Sequence, residues 1–292
     1  MIILGLNNRI NAATLTSSGT YVATLPLTNL QTNVLAEVAR TTTDAALTIT
    51  IDLTGEPARS IGALAIAGHN LSRTATIQYQ TYQGATEVND SGALSPWPYL
   101  HAEDPHWTAH TYAAAIIDTD RIAEAMPTSI YFLPANVEAN KVIITITDTS
   151  NPDSYIEIGR VFVGEQLEPD MGEDYGKANL NLLDYSEIIT TQRHILYENP
   201  YTPLRTAQIA YEHLTDGEAI GAIRTAQKRA RLTGEWLIAS SRPTYETISS
   251  VQAPDSFWFE KTFMARQTAF DALTYPYLQA NASTLNFEEI AP

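Results

Sequence analysis

Apolar residues at every second position constrain this chain more than anything else in it. Leu47-Thr-Ile-Thr-Ile-Asp-Leu53 puts its apolar residues on one side and its polar ones on the other, as a half-buried strand requires. Lys141-Val-Ile-Ile-Thr-Ile-Thr147 alternates in the same way, and Ile61–Ala67 is a short unbroken apolar run of the doubly buried kind. Further strands are predicted at Tyr21–Leu25, Ala75–Tyr82, Ser129–Leu133 and Tyr155–Val163, with Gly and Pro between the runs. Short strands at this density predict an antiparallel β-sandwich over residues 1–165. Its core should include Ile49, Ile51, Leu64, Ile66, Ile143 and Phe162.

The stretch Gly164–Gly176 carries five acids between Glu165 and Asp174, with a proline and glycines, and reads as a boundary. Residues 166–292 are then a smaller α+β domain. Strands are predicted at Ser186–Leu196, Arg205–His213, Trp236–Ala239, Thr247–Val251, Trp258–Ala265 and Thr284–Ile290. Thr215-Asp-Gly-Glu218 is a capping box, in which a Thr oxygen takes an amide three residues on and the Glu reaches back. It predicts one amphipathic helix from about Asp216 to Leu232, with Ile220 and Ile223 inward and Gly234 as its stop.

Composition narrows the function. The chain has 292 residues, 33 acidic against 17 basic, and a net charge of −16. Such a balance opposes nucleic-acid and anionic-membrane binding, which need Lys and Arg to displace counterions. With no cysteine, thiolate metal sites, disulfides and Cys nucleophiles are excluded. No signal peptide and no membrane-spanning run is read from the sequence. Catalytic elbows, phosphate-binding glycine loops and His-Glu-x-x-His motifs are also missing, so no enzyme activity and no cofactor is expected.

Three groups of residues stand out. Asp90–Met126 is a long loop with Trp97, Tyr99, Trp107 and Tyr112, rings that anchor a protein partner, stack on a sugar, or close the mouth of the sandwich as core. The same loop holds His101, His106 and His110, a metal set only if the loop folds around an ion, and otherwise polar loop residues. Arg224, Lys228, Arg229 and Arg231 form a basic face in an acidic protein, suited to an acidic patch on a neighbouring subunit or simply to balancing the helix dipole. Asp118 with Asp120, and Asp170 with Glu173 and Asp174, are carboxylate pairs or calcium ligands if they converge, and otherwise solvated loop acids.

Ile61–Ser72 with its Gly-His-Asn-Leu turn, Ala75–Tyr79, and the later strand carrying Ile158-Gly-Arg160 together resemble galactose-binding-like (discoidin-type) jelly rolls. Gly159–Pro169, Asn181–Glu187 and the closing Ser283–Ile290 resemble segments of siphophage tail-tip proteins, although the best-known distal tail proteins place a tube-like domain before the lectin-like one. The resemblance implies a structural component of a virion tail tip or baseplate, made in the host cytoplasm. It would form a ring or connector between tube and hub as a symmetric homo-oligomer among other tail proteins. The alternative it implies is a module that recognises host-surface glycan.

Overall fold

A computed structural model describes residues 2–55, 59–98, 127–174, 177–190, 196–199, 201–248, 251–254, 261–277 and 280–290. They fall into two compact units. The first joins Met1–Glu168 to Glu235–Met264, and the second joins Pro169–Gly234 to Ala265–Ala291.

The first unit is an antiparallel β-sandwich, as the alternation predicts. One sheet contains β1 (Ile3–Leu6), β5 (Arg59–His69), β8 (Thr128–Ala139), β10 (Glu157–Leu167) and β15 (Glu235–Ala239) in the order β8-β5-β10-β1-β15, with β3 (Ala39–Arg40) beside β10. The other contains β2 (Thr14–Ser17), β4 (Leu47–Asp52), β6 (Thr76–Gln83), β7 (Thr86–Asp90) and β9 (Lys141–Thr147) in the order β2-β4-β9-β6-β7. Leu47, Ile49 and Ile51 join Val142, Ile144, Ile146, Ile61, Leu64 and Ile66 in one apolar core. Phe162 is fully buried as well. Ile143 is half-buried instead, because on β9 the inward positions are Val142, Ile144 and Ile146. Tyr21–Leu25 is no strand; its one ladder contact is the bridge from Tyr21 to Thr41.

The chain leaves the first unit after Glu168 and returns at Glu235. There β15 pairs with β1, Leu4 opposite Ile238 and Gly5 opposite Leu237. A Cβ on Gly5 would lie 2.6 Å from that of Leu237, so the close approach needs glycine. The hairpin of β16 (Tyr245–Ile248) and β17 (Val251–Pro254) follows, and the Ser95 N–H donates to the Gln252 carbonyl at 2.7 Å.

The second unit is α+β. Its sheet runs β11 (Asn179–Leu183), β14 (Leu204–Leu214), β20 (Ala280–Glu289), then β18 (Thr262–Phe270) from Ala265 onward, with β19 (Thr274–Tyr277) also on β20. The predicted strand at Ser186–Leu196 is a hairpin, β12 (Glu187–Thr190) with β13 (Leu196–Asn199). One helix, α1, forms where the capping box places it. Its first part, Gly217–Arg224, has π geometry, and Thr225–Ala230 is α-helical. The box closes: the Thr215 N–H donates to Glu218 Oε2 at 2.7 Å and the Glu218 N–H to Thr215 Oγ1 at 3.3 Å. Ile223 is buried, but Ile220 is exposed. The wider π turns set residues four apart, Ala219 and Ile223, on the inward face and rotate Ile220 outward. The helix stops at Arg231, in a positive-φ conformation, three residues before Gly234.

Candidate functional site

The end of the sandwich at which β5 finishes is built on the Gly-His-Asn-Leu turn. Gly68 adopts φ +65°, and the chain then buries His69. The His69 Nδ1 accepts the Leu71 N–H at 3.4 Å, and its ring meets Trp97 edge-on at 5.2 Å. Burial pulls the imidazole from its ordinary 6.5 down to about 3. It is therefore neutral near pH 7 and unsuited to general acid–base work there.

Trp97 is 1% exposed and donates its indole N–H to the Leu71 carbonyl at 2.9 Å. Of the readings its sequence context allows, this is the core one; Trp97 cannot stack on a ligand. Beside it lies a small cleft lined by residues including Ser95, Thr128, Ser129 and Tyr245, with room for about one water, 10 Å³. Burial raises the Tyr245 phenol well above its usual range, and its O–H donates to the Ile130 carbonyl. Tyr99, His101, His106, Trp107, His110 and Tyr112 lie outside the described residues, as do Asp118 and Asp120.

A second polar cluster ties the turns next to Asn70. Buried Asp148 accepts the Ser72 hydroxyl at 2.5 Å and its N–H at 2.8 Å, together with the Asn151 amide at 2.9 Å. Asn70 donates to Asp153 and accepts the Glu157 N–H. Both Asp148 oxygens hold hydrogen bonds, so the cluster is a structural knot.

In the second unit the loop acids separate. The Asp170 N–H donates to Glu218, whereas Asp174 meets Glu212 and His213. Those three are close enough to share a cation, but the Lys177 ammonium already pairs with Glu212 and lies 3.7 Å from Asp174. The charge a metal would bring is thus supplied by the chain. On α1, Lys228, Arg229 and Arg231 are exposed, while Arg224 is half-buried and donates to Gln227 at 3.2 Å.

The feature that the sequence reading missed is apolar and exposed. Among the described residues, twelve large hydrophobic side chains stand open to solvent, and ten belong to the second unit. Leu180, Leu182, Leu183, Tyr185 and Tyr201 cluster in and beside β11, with Leu182 71% exposed. Leu180 lies opposite buried Ala207 and so shares the face that α1 covers farther along the sheet, but nothing described covers it at β11. Asn179-Leu-Asn-Leu-Leu183 does alternate in part. It reads as a strand once its exposure is known, and as a linker next to an acidic boundary otherwise.

No protein-family model matches the chain, and no curated protein does. Among solved structures it is similar to the family 32 CBM from C. perfringens NanJ in complex with galactose, at 11% identity, over 56% of this chain and 99% of that one, with a TM-score of 0.37. It is similar to the lectin domain of lectinolysin complexed with Lewis B antigen, at 12% identity over 55% and 96%, TM-score 0.36. A Streptococcus pneumoniae fucose binding module, SpX-3, gives 14% over 54% and 97%, TM-score 0.35. At these scores the likenesses carry nothing about ligand or site.

Proposed function

We propose that this protein is a non-enzymatic assembly protein whose second unit docks another polypeptide. One observation carries the reading: among the described residues, ten of the twelve exposed large hydrophobics fall in the smaller unit. Fully burying one leucine is worth about 1.5–3 kcal/mol, so an apolar surface of this kind favours a partner. The sandwich and its buried knots then serve as the rigid body that the second unit carries. The phage tail-tip setting, with tube, hub and neighbouring copies as partners, rests on the sequence resemblance alone.

Glycan recognition at the mouth of the sandwich is the second reading. It is favoured by the composition of the segment that follows Pro98, where Tyr99, Trp107 and Tyr112 are rings of the kind that stack on a sugar.

One pair of measurements separates the readings. The full chain is sedimented across a concentration range and applied to a glycan array, alongside a variant carrying Leu180→Thr and Leu182→Thr. The assembly reading expects association that the variant weakens, and no glycan signal. A glycan signal that the variant retains, with a monomeric mass throughout, would establish the second reading and overturn the first.

A further inference from the structure

Among the described residues, the outer strands β7, β8 and β2 of the sandwich are defended. The outer strand β7 carries Glu87 and Asp90, and β8 carries Pro134 and Glu138. The edge strand β2 is uncharged, but its one large apolar residue, Leu15, packs on the sandwich core. Charges, proline and a covered apolar face are how proteins keep strand edges from pairing with other chains. β11 has none of these. Its five residues, Asn179-Leu-Asn-Leu-Leu183, are uncharged, each is exposed, and among the described residues it ends the sheet with β14 on one side only.

We infer that β11 pairs antiparallel with β11 of a second copy, joining two second-unit sheets across a two-fold axis. The inference rests on the assembly reading and names the partner. The sequence of the strand selects both partner and register. A two-fold normal to the sheet keeps each face on itself, so paired residue numbers must sum to an even value. The sum that pairs all five residues sets Asn181 opposite Asn181, Leu180 opposite Leu182 of the second copy, and Asn179 opposite Leu183. Both leucine pairs then fall on the face that carries buried Ala207, extending that apolar stripe into the second copy. Charge agrees with this choice. Lys177 precedes the strand and is 53% exposed, and Asp184 follows it. Antiparallel pairing brings Lys177 of each copy alongside Asp184 and Tyr185 of the other, at both ends. A shift of two residues toward the C-terminus would instead press Asp184 onto Leu180.

The absence of cysteine from the chain makes a clean test possible. Residues opposed in an antiparallel pair have Cα atoms roughly 4.5–5.5 Å apart, within disulfide range. The full-length Asn181→Cys protein is oxidised mildly, beside Thr86→Cys, an exposed control on β7. A disulfide-linked dimer in Asn181→Cys well above the control is expected. In parallel, Leu182→Lys changes a side chain already exposed and leaves the monomer folded by circular dichroism. Its self-association constant should fall about tenfold or more, because each lysine then opposes a leucine. Cross-linking no greater than the control overturns the inference. If that protein still dimerises with concentration, another surface of the second unit makes the contact and the assembly reading stands. If it is monomeric throughout and binds glycan, both fail together.

Discussion

The guanidinium of Arg160 reaches five acceptors: both Glu235 carboxylate oxygens, the Leu30 carbonyl, and the side-chain oxygens of Asn11 and Asn33. Asn8 adds a 2.6 Å bond to Glu235. Both charges are almost wholly buried, at 1% and 4% exposure. Removing one partner of such a pair leaves the other uncompensated, so Glu235→Ala should cost about 3–5 kcal/mol, read as a lower urea midpoint at unchanged slope. Replacing both residues with apolar ones of similar volume should recover much of that loss. His69 supplies the second prediction at this scale. Its folded pKa lies near 3 and its unfolded one near 6.5, so between these values only the unfolded chain takes up the proton. Stability from this group is complete above 6.5 and falls as pH drops toward 3, by about 1.4 kcal/mol per unit. The unfolding free energy of wild type minus that of His69→Gln should fall by that slope as pH drops from 6.5 to 4; parallel curves would show that His69 is not buried neutral. The sequence displayed Arg160 and His69 as parts of short motifs. It could not display Glu235, which lies 75 positions from Arg160 and owes its role to a fold still to form.

Elements with a local signature were legible. The alternating strands β4 and β9 form where the sequence places them, and the capping box starts α1 at the expected residue. Thr215→Ala should cost about 1 kcal/mol by releasing the Glu218 amide, measured by thermal unfolding against the wild type. Elements whose identity depends on a partner were not legible. Ile3–Leu6 is fully buried between β10 and β15, yet four apolar residues at a chain start show no period. α1 begins with π turns, and a helical wheel of 3.6 residues therefore assigned Ile220 to the wrong face. β11 escaped for the opposite reason. Its apolar side chains stand exposed among the described residues, so no packing within them distinguishes this strand from a loop.

At the scale of the molecule, the chain order of the two units is interleaved, and the consequence is testable. A fragment of residues 1–168 lacks β15 and Glu235, so β1 loses one neighbour and Arg160 its counter-charge. That fragment should be unfolded or molten by near-ultraviolet circular dichroism, although it contains every strand of the five-stranded sheet. A cooperative native-like fragment would show that the return segment is dispensable. Charge also divides unevenly: the first unit has nine basic and twenty-one acidic residues, the second eight and twelve. Half of the second unit's basic residues lie at Arg224, Lys228, Arg229 and Arg231, and among the described residues the same unit carries ten of the twelve exposed large hydrophobics.

The central claim is that the second unit is a contact surface for another polypeptide, and hydrogen–deuterium exchange measured on the full chain, dilute and concentrated, addresses it residue by residue. The account predicts that concentration slows exchange at the amides of 179–183 and their neighbours at 177–185, leaving Gly68–Leu71 and Leu94–Trp97 unchanged. Protection confined to the mouth of the sandwich, or exchange at 179–183 that is identical at every concentration in a sample whose mass shows association, would contradict it.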